Sequence, residues 1–511
     1  MEPDGIGSWI RRRAVKSRGS AAIVFRDEEL NYEDLADRID RLASALRERG
    51  VAPGDRVAYL GDNHPAFVET LFASARLGAI FLPLNTRLSV PEIAFQLADS
   101  QASMLIAAAA LEPVAAGASA ALPIRRMGVA DPLGPPDDRW LTVDDFEAAI
   151  AAASPILDAP STRLDDPAMI LYTSGTTGKP KGAVLTHGNL TWNAINTIVD
   201  YDVTSRTRQL LISPLFHVAS LGMGLLPAFL KGATVLLQER FVPAEALAAI
   251  ERLRATAISG VPTTYQLMME DPAWATADIS SLKSMTCGGS PVPQRVVDAY
   301  AERGLAFSGG YGMTETSPGV VAMPARHSAD HPGAAGLAHF FTRFRLRADG
   351  DPSREAGTRG EIEVSGPNLF AGYWGREDVT AEAFTDDGWF RTGDVGVVDD
   401  DGFLTIADRI KDMVISGGEN IYSAEVEQAI AAIPGVTGVA VIGIPSERWG
   451  EVPHAVVTLA PGRDLDAEEM IAALREHLAG YKIPRSLTIV TELPRTASGK
   501  VRKAALRERY R

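Results

Sequence analysis

The pattern that most restricts this chain is an alternation. Short apolar runs such as "DRVAYLG", "AIFLPLN" and "SMLIAA" are separated by helix-like stretches. In "YEDLADRIDRLASALRERG", Leu35, Ile39, Leu42 and Leu46 share one helical face, and Gly50 closes the helix. Parallel strands need a crossover to join them, and a helix supplies it, so this order implies βαβ units. The alternation restarts with "QLLISPL", "ATVLLQ", "TAISG" and "SMTCGG". The expected fold is therefore α/β: a large N-terminal domain with two doubly wound βαβ layers. Between Gly350 and Gly402, Gly-punctuated strands such as "GEIEVSG" imply a β subdomain. Beyond it, "VAVIGIP", "HAVVTLA" and a helix over 466–478 imply a small α+β domain.

At 511 residues the chain has room for two or three domains and a large core. Its net charge of −15 argues against nucleic acid or an anionic membrane as a general partner, since both demand surplus Lys and Arg. The single cysteine, Cys287, excludes an intramolecular structural disulfide and is expected to be a small core residue. "VASLGMGLLPAFL" is shorter than the ~20 apolar residues that span a bilayer. Arg11–Arg13 precede no long apolar run, so no signal peptide is expected and the expected compartment is the cytoplasm.

"YTSGTTGKPKG", from Tyr172 to Gly182, looks built to hold phosphate, yet it is not a P-loop. A P-loop needs G-x-x-x-x-G-K-[ST] and a helix opening at the lysine. Here Gly175 to Gly178 is too short, and Pro180 follows Lys179. An apolar strand, "AMILYTSG", leads into it, and the glycines let backbone approach a ligand with Ser174, Thr176 and Thr177 as neutral donors. A flexible surface loop is the plain alternative; a clamp for a polyphosphate tail uses more of the residues present.

At this point the chain resembles the adenylate-forming enzymes, which include acyl-CoA synthetases, 4-coumarate–CoA ligases and firefly luciferase. "YTSGTTGKPKG" matches that family's phosphate loop without mismatch, which implies phosphate contacts from Thr173, Ser174, Gly175, Thr176, Thr177, Gly178, Lys179 and Lys181. "YGMTE" looks like the adenylate motif, implying Tyr311 against adenine, Thr314 on the α-phosphate and Glu315 as Mg²⁺ ligand. "CGGSP" resembles the adenine-pocket segment with Gly288, Gly289 and Ser290, and "WFRTGDVG" supplies Asp394 for the ribose. "DRIKDMVISGGENIYSAEVE" adds Arg409 on the same ribose, Lys411 as hinge, and Gly417 and Gly418 beside a CoA arm. "PRTASGKVRK" places Lys500 where the family has its catalytic lysine; apart from the resemblance, this basic tail reads as a solvated helix end. His217 in "SPLFHVASLG" corresponds to a gate between acyl pocket and thiol tunnel, and Trp449 to a position near the CoA nucleotide. "HPGAAGLAHFFTRF" departs from the family's Gly-Arg-Pro segment at no position given a chemical role.

The resemblance implies three parts: an AMP-binding domain over 1–408, a hinge over 409–411 and a mobile C-terminal domain over 412–511. It implies an ATP-dependent acyl-CoA synthetase with Mg²⁺, ATP and CoA, forming acyl-AMP and pyrophosphate and then acyl-CoA and AMP. The acyl pocket is expected around His217, Gly309, Gly310 and Pro318. These segments carry no charged residue except Glu315, which favours an apolar monocarboxylate: fatty, alicyclic or aromatic. Two rival expectations are a stand-alone amino-acid or aryl-acid adenylating enzyme and a nucleotide-binding sensor without turnover. No nucleic acid and no integral membrane segment is expected; monomer and homodimer both remain open.

Overall fold

A computed structural model describes residues 5–130, 144–173, 180–288, 292–348, 350–353, 355–409, 412–416, 419–446, 449–475, 478, 480–496 and 500–510. The chain packs as two compact units, one built from residues up to 344 together with 364–390, the other from 345–363 together with 391 onward.

In the first unit the expected alternation becomes two sheets. Among the described residues, one is nine-stranded, with Phe307–Tyr311, Ser284–Cys287, Ala257–Gly260, Arg208–Leu211, Thr234–Leu237 and Ala21–Phe25 running parallel in that spatial order. The other is eight-stranded around the parallel strands Arg56–Leu60, Ile80–Leu84 and Met104–Ala108. Strand order departs from chain order in both, the mark of helical crossovers. The helix Tyr32–Glu48 shows why the local sequence complies. Asn31 caps it by accepting the Asp34 amide at 2.8 Å, its Leu35, Ile39, Leu42 and Leu46 are buried, and Gly50 ends it at φ +85°.

Ligands of such folds bind beyond the carboxyl ends of the parallel strands. Thr173 ends the strand Pro167–Thr173, Gly288 follows Ser284–Cys287, and Tyr311 ends Phe307–Tyr311. Thr173, Gly288 and Tyr311 thus stand at or just beyond the ends of their strands.

Among its described residues the second unit holds two further sheets. In the first, strands within 391–398 and 404–409 pair antiparallel, and Glu363 is fully buried between Arg345 at 2.6 Å and Arg347 at 2.5 Å. In the second, Val436–Ser446 and Gly450–Leu459 form a long hairpin, Ser486–Ile489 joins it in parallel, and the helices Ser423–Ala431 and Ala467–Arg475 cover it. The β segment expected as one subdomain is therefore shared, because 364–390 packs with the first unit. Among the described residues, no helix is long and apolar enough to cross a membrane.

Candidate active site

The strand Pro167–Thr173 pairs antiparallel with Lys181–Thr186, and Thr173 stands opposite Lys181. The phosphate-loop sequence is thus the connection of a hairpin with fixed rims; Ser174, Gly175, Thr176, Thr177, Gly178 and Lys179 lie outside the described residues. One rim is anchored by Tyr172, whose hydroxyl donates to Asp99 Oδ2 at 2.7 Å while Arg376 holds Asp99 Oδ1 at 2.6 Å. Burial, then the hydrogen bond to Asp99, push the Tyr172 phenol well above its usual range, so it remains a donor.

The other rim meets a short strand that the sequence did not advertise. Gly372–Tyr373 adds to the outer side of Lys181–Thr186, with Tyr373 opposite Ala183. Lys181 Nζ lies 4.5 Å from the centre of the Tyr373 ring, and the Tyr373 hydroxyl donates to Glu315 Oε1 at 2.9 Å. Cation, phenol and carboxylate form one chain from the hairpin to Glu315. Burial foremost, and Glu315 next, raise the Tyr373 phenol well above its usual range. Tyr373 belongs to no motif of the sequence; its only local signal is the "GYW" tripeptide, which has no period to read.

Glu315 is 8% exposed and sits in the turn Thr314–Thr316 that follows the strand Phe307–Tyr311. A buried side-chain network immobilises that turn. Asn368 donates to the carbonyls of Thr316 and Gly319, both at 2.7 Å, and accepts from Thr342 at 2.7 Å. Asn193 accepts the Gly319 amide at 3.0 Å and donates to the Gly222 carbonyl at 2.9 Å. Asn193 and Asn368 are fully buried, and their amide N–H groups donate to backbone carbonyls, the use that justifies an amide in a core. Tyr311 and Thr314 are half-buried beside this turn, and a Cβ added to Gly288 would meet nothing within 4 Å, so the latter segment borders open space.

His217 is half-buried, and its carbonyl accepts the Ser220 amide at 3.1 Å at the start of a π-helix, Ser220–Leu225. Such wide turns recur at functional sites. Gly222 lets this helix touch the motif turn, since a Cβ there would fall 2.4 Å from Pro318 Cδ. Gly309 and Gly310 are half-buried and Pro318 is buried. Cys287 is buried and its thiol is pushed up to about 12 by that burial, the profile of an inert core residue.

In the second unit Asp394 is 3% exposed and stands directly across the strand pair from Arg409. Asp408 accepts both the amide and, at 3.1 Å, the hydroxyl of Ser423, and Lys503 donates to that hydroxyl at 2.6 Å and pairs with Glu427 at 2.7 Å. Arg507 pairs with Asp412 at 2.8 Å. These two cations of the basic tail are thus structural partners, not the solvated helix end expected of them. Lys500 is exposed and bonded reciprocally to Thr496: the Thr496 amide donates to the Lys500 carbonyl at 2.7 Å, and the Lys500 amide to the Thr496 hydroxyl at 3.2 Å. Trp449 is 41% exposed, which removes it from the core. Gly289, Ser290, Lys411, Gly417 and Gly418 lie outside the described residues.

A metal fits this donor set in one way. Among the described residues no cluster of His, Cys, Asp or Glu could hold an ion alone. Glu315 offers a buried carboxylate of which the Tyr373 hydroxyl occupies Oε1. One carboxylate suits Mg²⁺, which keeps water and phosphate oxygens as its other ligands.

Comparison with known proteins gives a concordant result. The family model described as AMP-binding enzyme matches residues 10–374, and the AMP-binding enzyme C-terminal domain matches 425–500. A feruloyl-CoA synthase from an Amycolatopsis species is 48% identical over 514 residues, covering 100% of both chains. An indoleacetate–CoA ligase from Aromatoleum aromaticum is 41% identical over 508 residues, covering 98% of each. The crystal structure of ATP-bound MatB from Rhodopseudomonas palustris superposes with a TM-score of 0.89 at 31% identity over 99% of each chain. Fold and matches together define an adenylate-forming enzyme of the AMP-forming acid–thiol ligase class. The chain belongs to the AMP-binding enzyme family over both its large and its small domain.

Proposed function

We propose that the chain is an ATP-dependent acyl-CoA synthetase that activates an apolar, aromatic monocarboxylic acid. The observation that carries this reading is the Lys181–Tyr373–Glu315 chain beside the phosphate hairpin. A polyphosphate bound with a divalent ion needs a cation for its oxygens and a hard oxygen donor for its metal, side by side. The relatives named for feruloyl and indoleacetate groups support an aromatic acid.

In the first half-reaction a carboxylate oxygen attacks the α-phosphorus, the new O–P bond forms acyl-AMP, and pyrophosphate leaves. No general base is required, because the acid is ionised at neutral pH. Lys181 and residues 173–179 hold the departing phosphates, and Thr314 binds the α-phosphate. Tyr311 and residues 288–290 flank the adenine, and Asp394 with Arg409 receives the ribose hydroxyls. Lys500 offsets charge growing on the phosphoryl oxygens. Mg²⁺, held by Glu315, supplies further neutralisation of those oxygens when bound. In the second half-reaction the CoA sulfur attacks the acyl carbon, the bond to AMP breaks and the thiol proton passes to solvent. His217 gates the thiol's approach, Gly417, Gly418 and Trp449 receive CoA, and residues 409–411 are the pivot between 1–408 and 412–511. We place the enzyme in the cytoplasm, where ATP and CoA are supplied.

The test is acid-dependent release of pyrophosphate and AMP from ATP, measured with and without CoA across aromatic and fatty acids. Pyrophosphate should appear with acid alone and turnover should require CoA. ATP binding without release under any acid would remove the ligase reading.

A further inference from the structure

The helix Lys503–Tyr510 turns an unusual face inward. Residues spaced i, i+3, i+4, i+7 share one side of a helix. Here they are Lys503, Leu506, Arg507 and Tyr510. Leu506 and Tyr510 pack with Ile442 and Val456 on the long hairpin, and the Tyr510 ring meets His454 at 5.1 Å. The other two are cations, and both are half-buried. Charged side chains are rarely turned inward unless they are paired.

Their partners flank residues 409–411 on both sides. Arg507 pairs at 2.8 Å with Asp412, directly after them. Lys503 donates to the Ser423 hydroxyl at 2.6 Å, and that hydroxyl donates at 3.1 Å to Asp408, directly before them. Asp408 also accepts the Ser423 amide, and Glu427 pairs with Lys503 at 2.7 Å while accepting the Val441 amide at 2.7 Å. Asp408 and Ser423 are buried. The backbone of Asp408 belongs to the strand Leu404–Arg409, yet its carboxylate reaches the start of the helix Ser423–Ala431. One helix, through cations four residues apart, thus holds both flanks of a three-residue segment.

Stability alone explains such a network poorly. Apolar side chains of similar volume often serve a buried position as well as an ion pair does, whereas paired charges fix one geometry. What that geometry controls follows from the chain just upstream. The helix opens three residues after Lys500, and the stretch between is held in place: the Arg502 amide donates to the Pro494 carbonyl at 2.7 Å, and Val501 bridges Arg495. Lys500 itself is bonded to Thr496. A displacement of the helix relative to Asp408 and Asp412 is therefore carried to Lys500 through two residues of fixed backbone.

We propose that the helix Lys503–Tyr510 is a splint across residues 409–411, and that Lys503 and Arg507 are positioning residues that set where Lys500 stands during acyl-AMP formation. The inference rests on the roles given above to Lys500 and to residues 409–411. A pivot about 409–411 parts Asp408 from Ser423 and so takes the splint down, which confines its action to one half-reaction. The full-length enzyme is assayed with the aromatic acid on which the wild type releases pyrophosphate fastest. Pyrophosphate release without CoA reads the first half-reaction, and thioester formation from supplied acyl-AMP and CoA reads the second. Lys503→Met and Arg507→Met should each lower the first about tenfold, the effect of one charged hydrogen bond, and the second by less than about twofold. Exchanging the pair, Arg507→Asp together with Asp412→Arg, should recover most of what Arg507→Asp alone loses, which a general loss of folding would not do. Equal losses in both half-reactions, no loss in either Met variant, or no recovery in the exchanged pair would overturn the inference. Those outcomes leave the role of Lys500 standing if Lys500→Ala, run alongside, loses the first half-reaction alone. Equal loss in Lys500→Ala would end that role and the splint together, and no acid-dependent release in the wild type would end the ligase reading as well.

Discussion

Tyr373→Phe isolates one hydrogen bond of the site. The ring keeps both of its packing relations, the Lys181 ammonium 4.5 Å from its centre and Phe370 at 4.9 Å edge to face. Only the hydroxyl that donates to Glu315 Oε1 at 2.9 Å is lost. Glu315 is 8% exposed, so water replaces that donor poorly. A hydrogen bond to a charged acceptor contributes about 1.5–3 kcal/mol, which is roughly 10- to 150-fold in an equilibrium. If Tyr373 orients Glu315 for a metal, the Mg²⁺ concentration for half-maximal pyrophosphate release should rise by about 10- to 100-fold, the usual effect of losing a partner behind a ligand. Saturating Mg²⁺ should restore much of the rate. The assay is a Mg²⁺ titration at fixed free ATP, with direct ATP binding in the absence of metal as a second readout that should change far less. A wild-type Mg²⁺ titration in Tyr373→Phe would refute the assignment, as would an equal loss of metal-free ATP binding. Because burial keeps the phenol protonated, the effect should be the same across the neutral pH range.

Lys500→Ala should suppress acyl-AMP formation while sparing thioester formation from supplied acyl-AMP; equal loss of both half-reactions would contradict a role confined to the first. Asn368→Ala removes the donor to two buried carbonyls and should cost roughly 2–4 kcal/mol in urea unfolding, with a cost under about 1 kcal/mol telling against the network. His187, fully buried with Nδ1 accepting the Ile6 amide at 3.3 Å, has its pKa lowered from 6.5 to about 4, chiefly by burial. The unfolded chain takes up that proton first, so stability present above pH 6.5 should be lost as pH falls towards about 4, by up to about 3 kcal/mol. His187→Asn, which keeps an acceptor for Ile6, should flatten that acid limb, and an unchanged limb in denaturation scans would exclude His187 as its source.

The sequence spoke clearly where the chain's own neighbours determine the outcome. Leu35, Ile39, Leu42 and Leu46 announce a helix because period and burial coincide, and all four are buried. The strand leading into Tyr172–Gly182 was legible in the same way as an apolar run, whereas its antiparallel pairing with Lys181–Thr186 was not. Tyr373 was silent because its meaning comes from pairing with Ala183 and touching Glu315, neither of which a two-residue strand can encode. Lys503 and Arg507 looked solvated because charge alone does not disclose that Glu427 and Asp412 are close by.

Strand faces are the sharpest case. "TAISG" and "SMTCGG" read correctly as strands, yet a small hydroxyl residue is ambiguous in one dimension, since Ser and Thr fit a strand on either face. Only the register, Ser259 beside Thr286 beside Ser308, turns scattered residues into a row. A single hydroxyl on a buried face is a tolerated exception; a row of them is a property of the assembled sheet that no one segment displays. The activity class is therefore written in contiguous motifs, whereas this row is written across three strands that the chain order keeps apart.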